Sequence, residues 1–179
     1  MLEILAYSLI ALVVAIAAIL ALATMRPDDF KVSRSLAIAA KPEQLFPLIA
    51  NLRRMNTWNP YSLRDSSSTT SYTGPDAGKG ATHVFDGKKS GSGSIEVVET
   101  TAPSSVVMRL RMHKPFTCDN RVEFTLKPNG GGATDVTWSM AGKQPLLIKA
   151  MNLVFDSSKM VGRDMDEGLG NLKRMAEGV

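Results

Sequence analysis

"VVMRLRMHK" (106–114), "CDNRVEFTLK" (118–127) and "ATDVTWSMAG" (133–142) decide the fold. Apolar and polar side chains alternate along each. Val106, Met108, Leu110 and Met112 oppose Arg109 and Arg111; Val122, Phe124 and Leu126 oppose Arg121 and Glu123; Val136, Trp138 and Met140 oppose Asp135 and Thr137. A period of two puts successive side chains on opposite faces of a strand, so each segment reads as a strand with one apolar and one wet face. Lys114-Pro115 and "PNGGG" (128–132) interrupt the runs, as turn residues do between antiparallel neighbours. Such strands build an antiparallel sheet that is covered on one side only.

Upstream the same pattern continues. "STTSYTG" (68–74), "GATHVFDG" (80–87) and "SIEVVETT" (94–101) read as three more strands, with "GKKSGSG" (87–93) as the hairpin turn before the last. "FKVSRSLAIAA" (30–40) is another, with Phe30, Val32, Leu36 and Ile38 on one side and Lys31, Ser33 and Ser35 on the other. Between it and the rest, "KPEQLFPLIANL" (41–52) carries Pro42 and Glu43, suited to a first helical turn, and a short apolar stripe that Pro47 should keep short or bent. Downstream, Ile148, Met151 and Phe155, then Met165, Gly168, Leu169, Leu172 and Met175, recur at spacings of three and four. That spacing predicts an amphipathic helix of more than six turns, with Asp156-Ser157-Ser158 the place for a break, lying over the apolar face of the sheet.

"ILAYSLIALVVAIAAILALA" (4–23) has twenty residues without a charge. At 1.5 Å per residue they span about 30 Å, the depth of a bilayer's hydrocarbon core. Three readings compete: an uncleaved single-span anchor, a secretory signal ending in "ALA" (21–23), and a buried core helix. A signal has a positively charged start and an apolar core of about 7–15 residues, whereas here Glu3 is the only early charged side chain, so the anchor is preferred. Arg26, Lys31, Arg34 and Lys41 follow the span and no Lys or Arg precedes it, which puts the rest of the chain on the cytoplasmic side. The expected organisation is a transmembrane helix in residues 1–26 and one domain in residues 27–179.

Composition narrows the partners. The net charge is +4 over 179 residues with no basic block, and neither a clustered basic face nor a nucleic-acid motif is present, so no nucleic-acid partner is expected. Cys118 is the lone cysteine, which excludes an internal disulfide. His83 and His113 with Cys118 make no metal-ligand spacing, and neither a metal nor a cofactor is expected. Oligomeric state is not legible.

Five stretches resemble the SRPBCC superfamily, the pollen-allergen and START-like group that includes polyketide cyclase/dehydrase proteins: "AKPEQLFPLIANLRRMNTWNPY", "YTGPDAGKGATHVFDG", "GSGSIEV", "ATDVTWSMAG" and "MVGRDMDEGLGNLKRMAE". The pattern usually carries Trp where this chain has Phe85. The resemblance implies an α+β helix-grip fold: a seven-stranded antiparallel curved sheet wrapped around the long C-terminal helix, with an apolar cavity between them. It implies no single chemistry, because the group includes carriers, sensors and enzymes.

Within that frame the expected cavity lining is Trp58, Phe85, Met108, Leu110, Met112, Phe124, Trp138, Met140, Met151, Phe155 and Met165. Methionine adapts to irregular apolar shapes, yet each of these residues also suits plain core packing. Trp58 serves either as a gate at one mouth or as a plug at the core's end. Glu99, Asp86 and Asp164 are the acids that could reach an interior, but no pair is placed at acid–base separation. The function expected is binding of a hydrophobic small molecule or lipid by a membrane-anchored carrier or sensor. The alternatives are a cyclase/dehydratase-like enzyme and an interaction or stress-response module whose interior is filled by its own side chains.

Overall fold

The computed structural model describes residues 2–153 and 156–178. Helix α1 (Leu2–Thr24) is followed by strand β1 (Asp29–Ile38) and three short helices, α2 (Pro42–Ala50), α3 (Leu52–Met55) and α4 (Pro60–Arg64). Six strands come next: β2 (Thr69–Thr73), β3 (Thr82–Gly87), β4 (Gly91–Thr101), β5 (Ser105–Lys114), β6 (Cys118–Gly130) and β7 (Ala133–Lys143). Helices α5 (Leu146–Met151) and α6 (Ser157–Glu177) close the chain. All strand pairs are antiparallel, in the order β1-β7-β6-β5-β4-β3-β2, and α6 lies across the inner face. This is the helix-grip architecture.

Local chemistry accounts for the elements. Pro42 occupies the first turn of α2, where its missing N–H costs nothing, and Gln44 reaches back to the Lys41 N–H. Pro47 is accommodated inside α2, which ends at Ala50. Asn51 then caps α3, its side-chain oxygen accepting from the N–H groups of Arg53 and Arg54. Asp156 caps α6 through the Lys159 N–H, and Gly178 ends it in the left-handed conformation.

Two expectations need correction. The segment 87–93 is not all turn: β4 begins at Gly91, which pairs with Gly87 of β3, and Gly93 pairs with Met112 of β5. A Cβ at either would meet the carbonyl oxygen of Lys114 or Arg111, so only glycine lets the strands approach there. The C-terminal stripe divides before Ser157, as the break expected there allows, but its first part, α5, packs against α1 rather than lying over the sheet. Met151 belongs to α5 and is 41% exposed.

The core lies where α6 meets the sheet and the short helices. Met165, Leu169 and Leu172 of α6 pack with Phe124, Trp138, Leu45, Ile49 and Trp58, all buried. Burying each large apolar side chain contributes about 1.5–3 kcal/mol. Two glycines set the approach of α6. A Cβ on Gly168 would lie 2.6 Å from Trp138 Cζ3, and one on Gly162 would collide with the Arg34 guanidinium. Arg34 has inward parity on β1 and reaches over α6 to Asp166, with Nε 3.2 Å from Oδ2. Helix α6 therefore packs most closely over β1 and β7.

Helix α1 is apolar and long enough, by length and composition, to cross a bilayer over Ala6–Thr24. Its described side chains from Ala6 to Leu22 are exposed rather than packed in the core.

Candidate functional site: a cavity between sheet and helix

The inner face of the sheet, with the short helices and Val161 of α6 opposite it, borders a cavity of about 300 Å3. That is at the lower end of the range for small-molecule sites. Five of the residues expected to line it do so: Phe85, Leu110, Met112, Trp138 and Met140. Trp58, Met108, Phe124 and Met165 do not. They are at most 1% exposed and pack into the core, where α2, α6 and the sheet meet. Met151 lies on α5 away from the cavity, and Phe155 lies outside the described residues. Trp58 is the end plug of the two roles weighed for it: its indole meets Phe124 and Trp138 edge-on at 6.0 Å, and its Nε1–H donates to the Leu48 carbonyl at 2.9 Å.

The strand registers locate the cavity. Asp29 pairs with Lys143, Asn120 with Gly142, Met112 with Cys118, and Gly87 with Gly91. These pairs all mark one end of the sheet, the end where β1 leaves α1. Phe85, Ser90, Met112, Cys118 and Asn120 line the cavity at that end. Helix α5 is tied to the same place: Lys149, buried, donates from Nζ to the Arg26 carbonyl at 3.3 Å and to Asp28 Oδ1 at 2.6 Å. The opposite end is filled by core side chains such as Leu45, Ile49 and Leu172.

Polar groups line one side, and sequence reasoning passed over most of them. His83 is 4% exposed, stacked on Tyr72 with ring centroids 4.7 Å apart and next to Phe85 at 5.6 Å. Asn56 on the α3 side donates from Nδ2 to the Tyr72 hydroxyl at 2.8 Å and lies 3.1 Å from His83 Nδ1, while Ser62 donates to its Oδ1 at 2.9 Å. Arg53 closes the outer face of Tyr72, its guanidinium 4.1 Å from the ring centre. Burial lowers the His83 pKa, so the imidazole is neutral at pH 7. Parity with Phe85 was the available signal for His83. Asn56 and Ser62 lie on and beside short helices, where no period announces them.

Tyr61 also lines the cavity, and burial followed by the neighbouring Asp164 carboxylate pushes its phenol well above the usual value. Asp164 is buried and accepts from Arg64 Nη1 at 2.6 Å, whereas Asp86 and Glu99 are exposed on outer faces. Burial likewise raises the Cys118 thiol pKa. Among the described residues no three His, Cys, Asp or Glu side chains form a group able to hold a metal ion.

Asp65 joins the wall to the hairpin. Its Oδ2 accepts from the N–H groups of Lys89 at 2.8 Å and Ser90 at 2.9 Å and from the Ser90 hydroxyl at 3.0 Å; Oδ1 accepts from Ser67. The Ser90 and Lys89 amides hold its pKa down to about 2. A carboxylate with a depressed pKa contributes stability above its unfolded value near 4 and loses it as pH falls through the folded value. In acid titrations of unfolding, the advantage of wild type over Asp65→Asn should be complete above about pH 4 and disappear by about pH 2. A constant difference across that window would show that Asp65 does not act as an ionised clamp.

A curved antiparallel sheet closed around a terminal helix, with an apolar cavity at one end, defines a helix-grip protein. The chain belongs to the polyketide cyclase/dehydrase and lipid transport family, whose sequence model matches residues 29–177. Solved structures share the fold. Protein MLL2253 from Mesorhizobium loti is 14% identical, with a TM-score of 0.62 over 84% of this chain and 98% of that one. Ara h 8.0201 is 8% identical, with a TM-score of 0.60 over 84% and 99%. DynU16, a putative protein in the dynemicin biosynthetic locus, is 18% identical, with a TM-score of 0.58 over 85% of this chain and 48% of that one. At such identities the likeness is one of fold. No curated protein sequence matches the chain.

Proposed function

We propose that this protein is a membrane-anchored carrier or sensor that takes a hydrophobic small molecule or lipid into the cavity between sheet and helix. The observation that carries the reading is the 300 Å3 of unfilled apolar space at the end of the sheet from which α1 departs. Helix α1 spans the bilayer in this reading, residues 27–179 form the ligand-holding domain, and the positive residues after the span keep that domain in the cytoplasm. Apolar molecules partition into the bilayer, and a tether that holds the receiving cavity beside it raises encounter without any new contact. Affinity then comes from buried apolar area, at about 25 cal/mol per Å2.

His83 supports a second reading, an enzyme of cyclase or dehydratase type. It is neutral, inside the cavity and oriented by Asn56, as a proton-transfer group requires. The first reading is favoured because the wall offers His83 no carboxylate partner: Asp65 is committed to the hairpin and Asp164 to Arg64.

The test is photo-crosslinking of the full chain in lipid nanodiscs with diazirine-bearing sterol and acyl probes. Labelling should concentrate on peptides from β5 and β7 that carry Leu110, Met112 and Met140. Labelling confined to α1, or none at all, would remove the carrier reading. Turnover of an offered substrate that tracks the ionisation of His83 would move the assignment to the enzyme.

A further inference from the structure

The end of the sheet at which α1 departs carries two features that the cavity does not use. The first is apolar. Helix α5 packs against α1, yet Leu146, Leu147 and Met151 of α5 are exposed. Ala23 is the one buried side chain among the described residues of α1, which places the contact at the exit of that helix. Lys149 of α5 fixes it there, holding the Arg26 carbonyl and Asp28 just beyond the exit. If α1 spans a bilayer over Ala6–Thr24, as proposed above, α5 sits at the level where the span meets water. Exposed leucines and a methionine at that depth meet the headgroup boundary, where apolar helix faces of peripheral proteins are buried.

The second feature is charge, gathered by the fold from places far apart in the chain. Arg26 follows α1, Lys88 and Lys89 lie in the turn between β3 and β4, Lys114 ends β5, and Lys143 ends β7. The pairings of Gly87 with Gly91, Ser92 with Lys114 and Asp29 with Lys143 set them all at this one end. Each is exposed, and none makes an ion pair among the described residues. The acids nearby are mostly committed: Asp28 to Lys149, Asp119 to Arg109 and Asp65 to the hairpin amides. Asp29 and Asp86 are left to offset these cations. An anionic leaflet attracts each Lys or Arg held within a Debye length of it, about 8 Å at physiological salt.

We infer that this end of the domain docks on the anionic phospholipid surface of the bilayer that α1 crosses, an inference that rests on the anchored reading above. Leu146, Leu147 and Met151 enter the headgroup layer, and the basic strand ends lie against the phosphates. A tether alone leaves the domain free to turn. Docking holds the cavity end toward the lipid.

The test places the fluorophore NBD on the full chain in nanodiscs, in a Cys118→Ala background, at Leu147→Cys or at Lys127→Cys near the far end of the sheet. Lipids with a nitroxide on the headgroup are the quencher. With phosphatidylglycerol in the disc, position 147 should be strongly quenched and position 127 spared. Pure phosphatidylcholine discs, raised salt, or the combined Lys88→Gln, Lys89→Gln and Lys114→Gln substitutions should each restore emission at 147. The three substitutions should lower the ratio of docked to undocked chains at least about tenfold. The lipid comparison needs no change to the charges, so it stands even where the lysine variant melts early. Equal quenching at the two positions, or quenching at 147 that ignores either the lipid charge or the lysines, would overturn docking and leave the anchor intact. Shielding of position 147 only in discs that hold two chains would give the face to a second copy and overturn it as well. A chain that is not retained in the discs would overturn the anchored reading itself.

Discussion

Leu110→Trp should abolish ligand capture, reducing occupancy by crosslinking probes at least about a hundredfold, while the chain still folds. Leu110 lies on the inner face of β5 in the cavity wall and is only partly buried, so its side chain has free space in front of it. Replacing it with an indole fills a large share of a cavity of about 300 Å3 without displacing the core side chains behind it. A cavity binder loses its guest when its volume is taken, because the burial that drives affinity has nowhere to occur. The check is crosslinking yield beside near-UV circular dichroism and the melting temperature. Retained capture with a native melt would place the ligand elsewhere. A collapsed melt would show instead that the space has no room for the larger ring, and Leu110→Phe then provides a smaller step in the same direction.

Trp58→Ala should cost about 3–5 kcal/mol of stability, the usual range for removing a buried aromatic of this size. Natural domains are stable by roughly 5–15 kcal/mol, so this one change takes a large share. Trp58 is 1% exposed and touches Phe124 and Trp138 edge-on. Its Nε1–H holds the Leu48 carbonyl of α2, and Asn171 of α6 donates to its own carbonyl at 2.8 Å. The residue therefore ties α2, α6 and the sheet at the filled end of the grip. Trp58→Phe keeps an aromatic and loses the indole hydrogen bond, so its cost should be nearer 1 kcal/mol. Denaturant midpoints of the full chain in nanodiscs, read from near-UV dichroism, measure both. Equal costs for the two variants would show that the hydrogen bond, and not the ring's volume, carries the effect.

Much of the fold was legible because it follows from short-range rules. Alternation in 106–114, 118–127 and 133–142 places the inner faces of β5, β6 and β7 correctly, and the recurrence of Met165, Leu169 and Leu172 places the buried stripe of α6. The break near Asp156-Ser157-Ser158 was legible too. Less was legible where glycine serves two ends. In 87–93 the glycines look like turn residues, yet Gly91 and Gly93 are in the ladder because a neighbouring carbonyl leaves no space for a Cβ. Nothing local distinguishes the two uses.

The candidate site was legible only in half. Parity named which side chains face inward but not what stands opposite them, and Met108, Met112, Phe124 and Met140 look alike on that criterion. His83 had the right parity and was still passed over, since a lone histidine on a strand has no partner in the sequence. Asn56, its partner, lies 27 residues away on the other side of the cavity.

By itself the sequence determined seven strands, their inner faces, a long terminal helix and an apolar leading helix, because hydrophobic period and turn chemistry act within a few residues of one another. Only the tertiary structure decided which inner residues fill the core and which bound a cavity. That depends on where α6 lands, and Gly162 and Gly168 let it settle close against β1 and β7. Away from that contact, Phe85, Leu110 and Met112 border the open space.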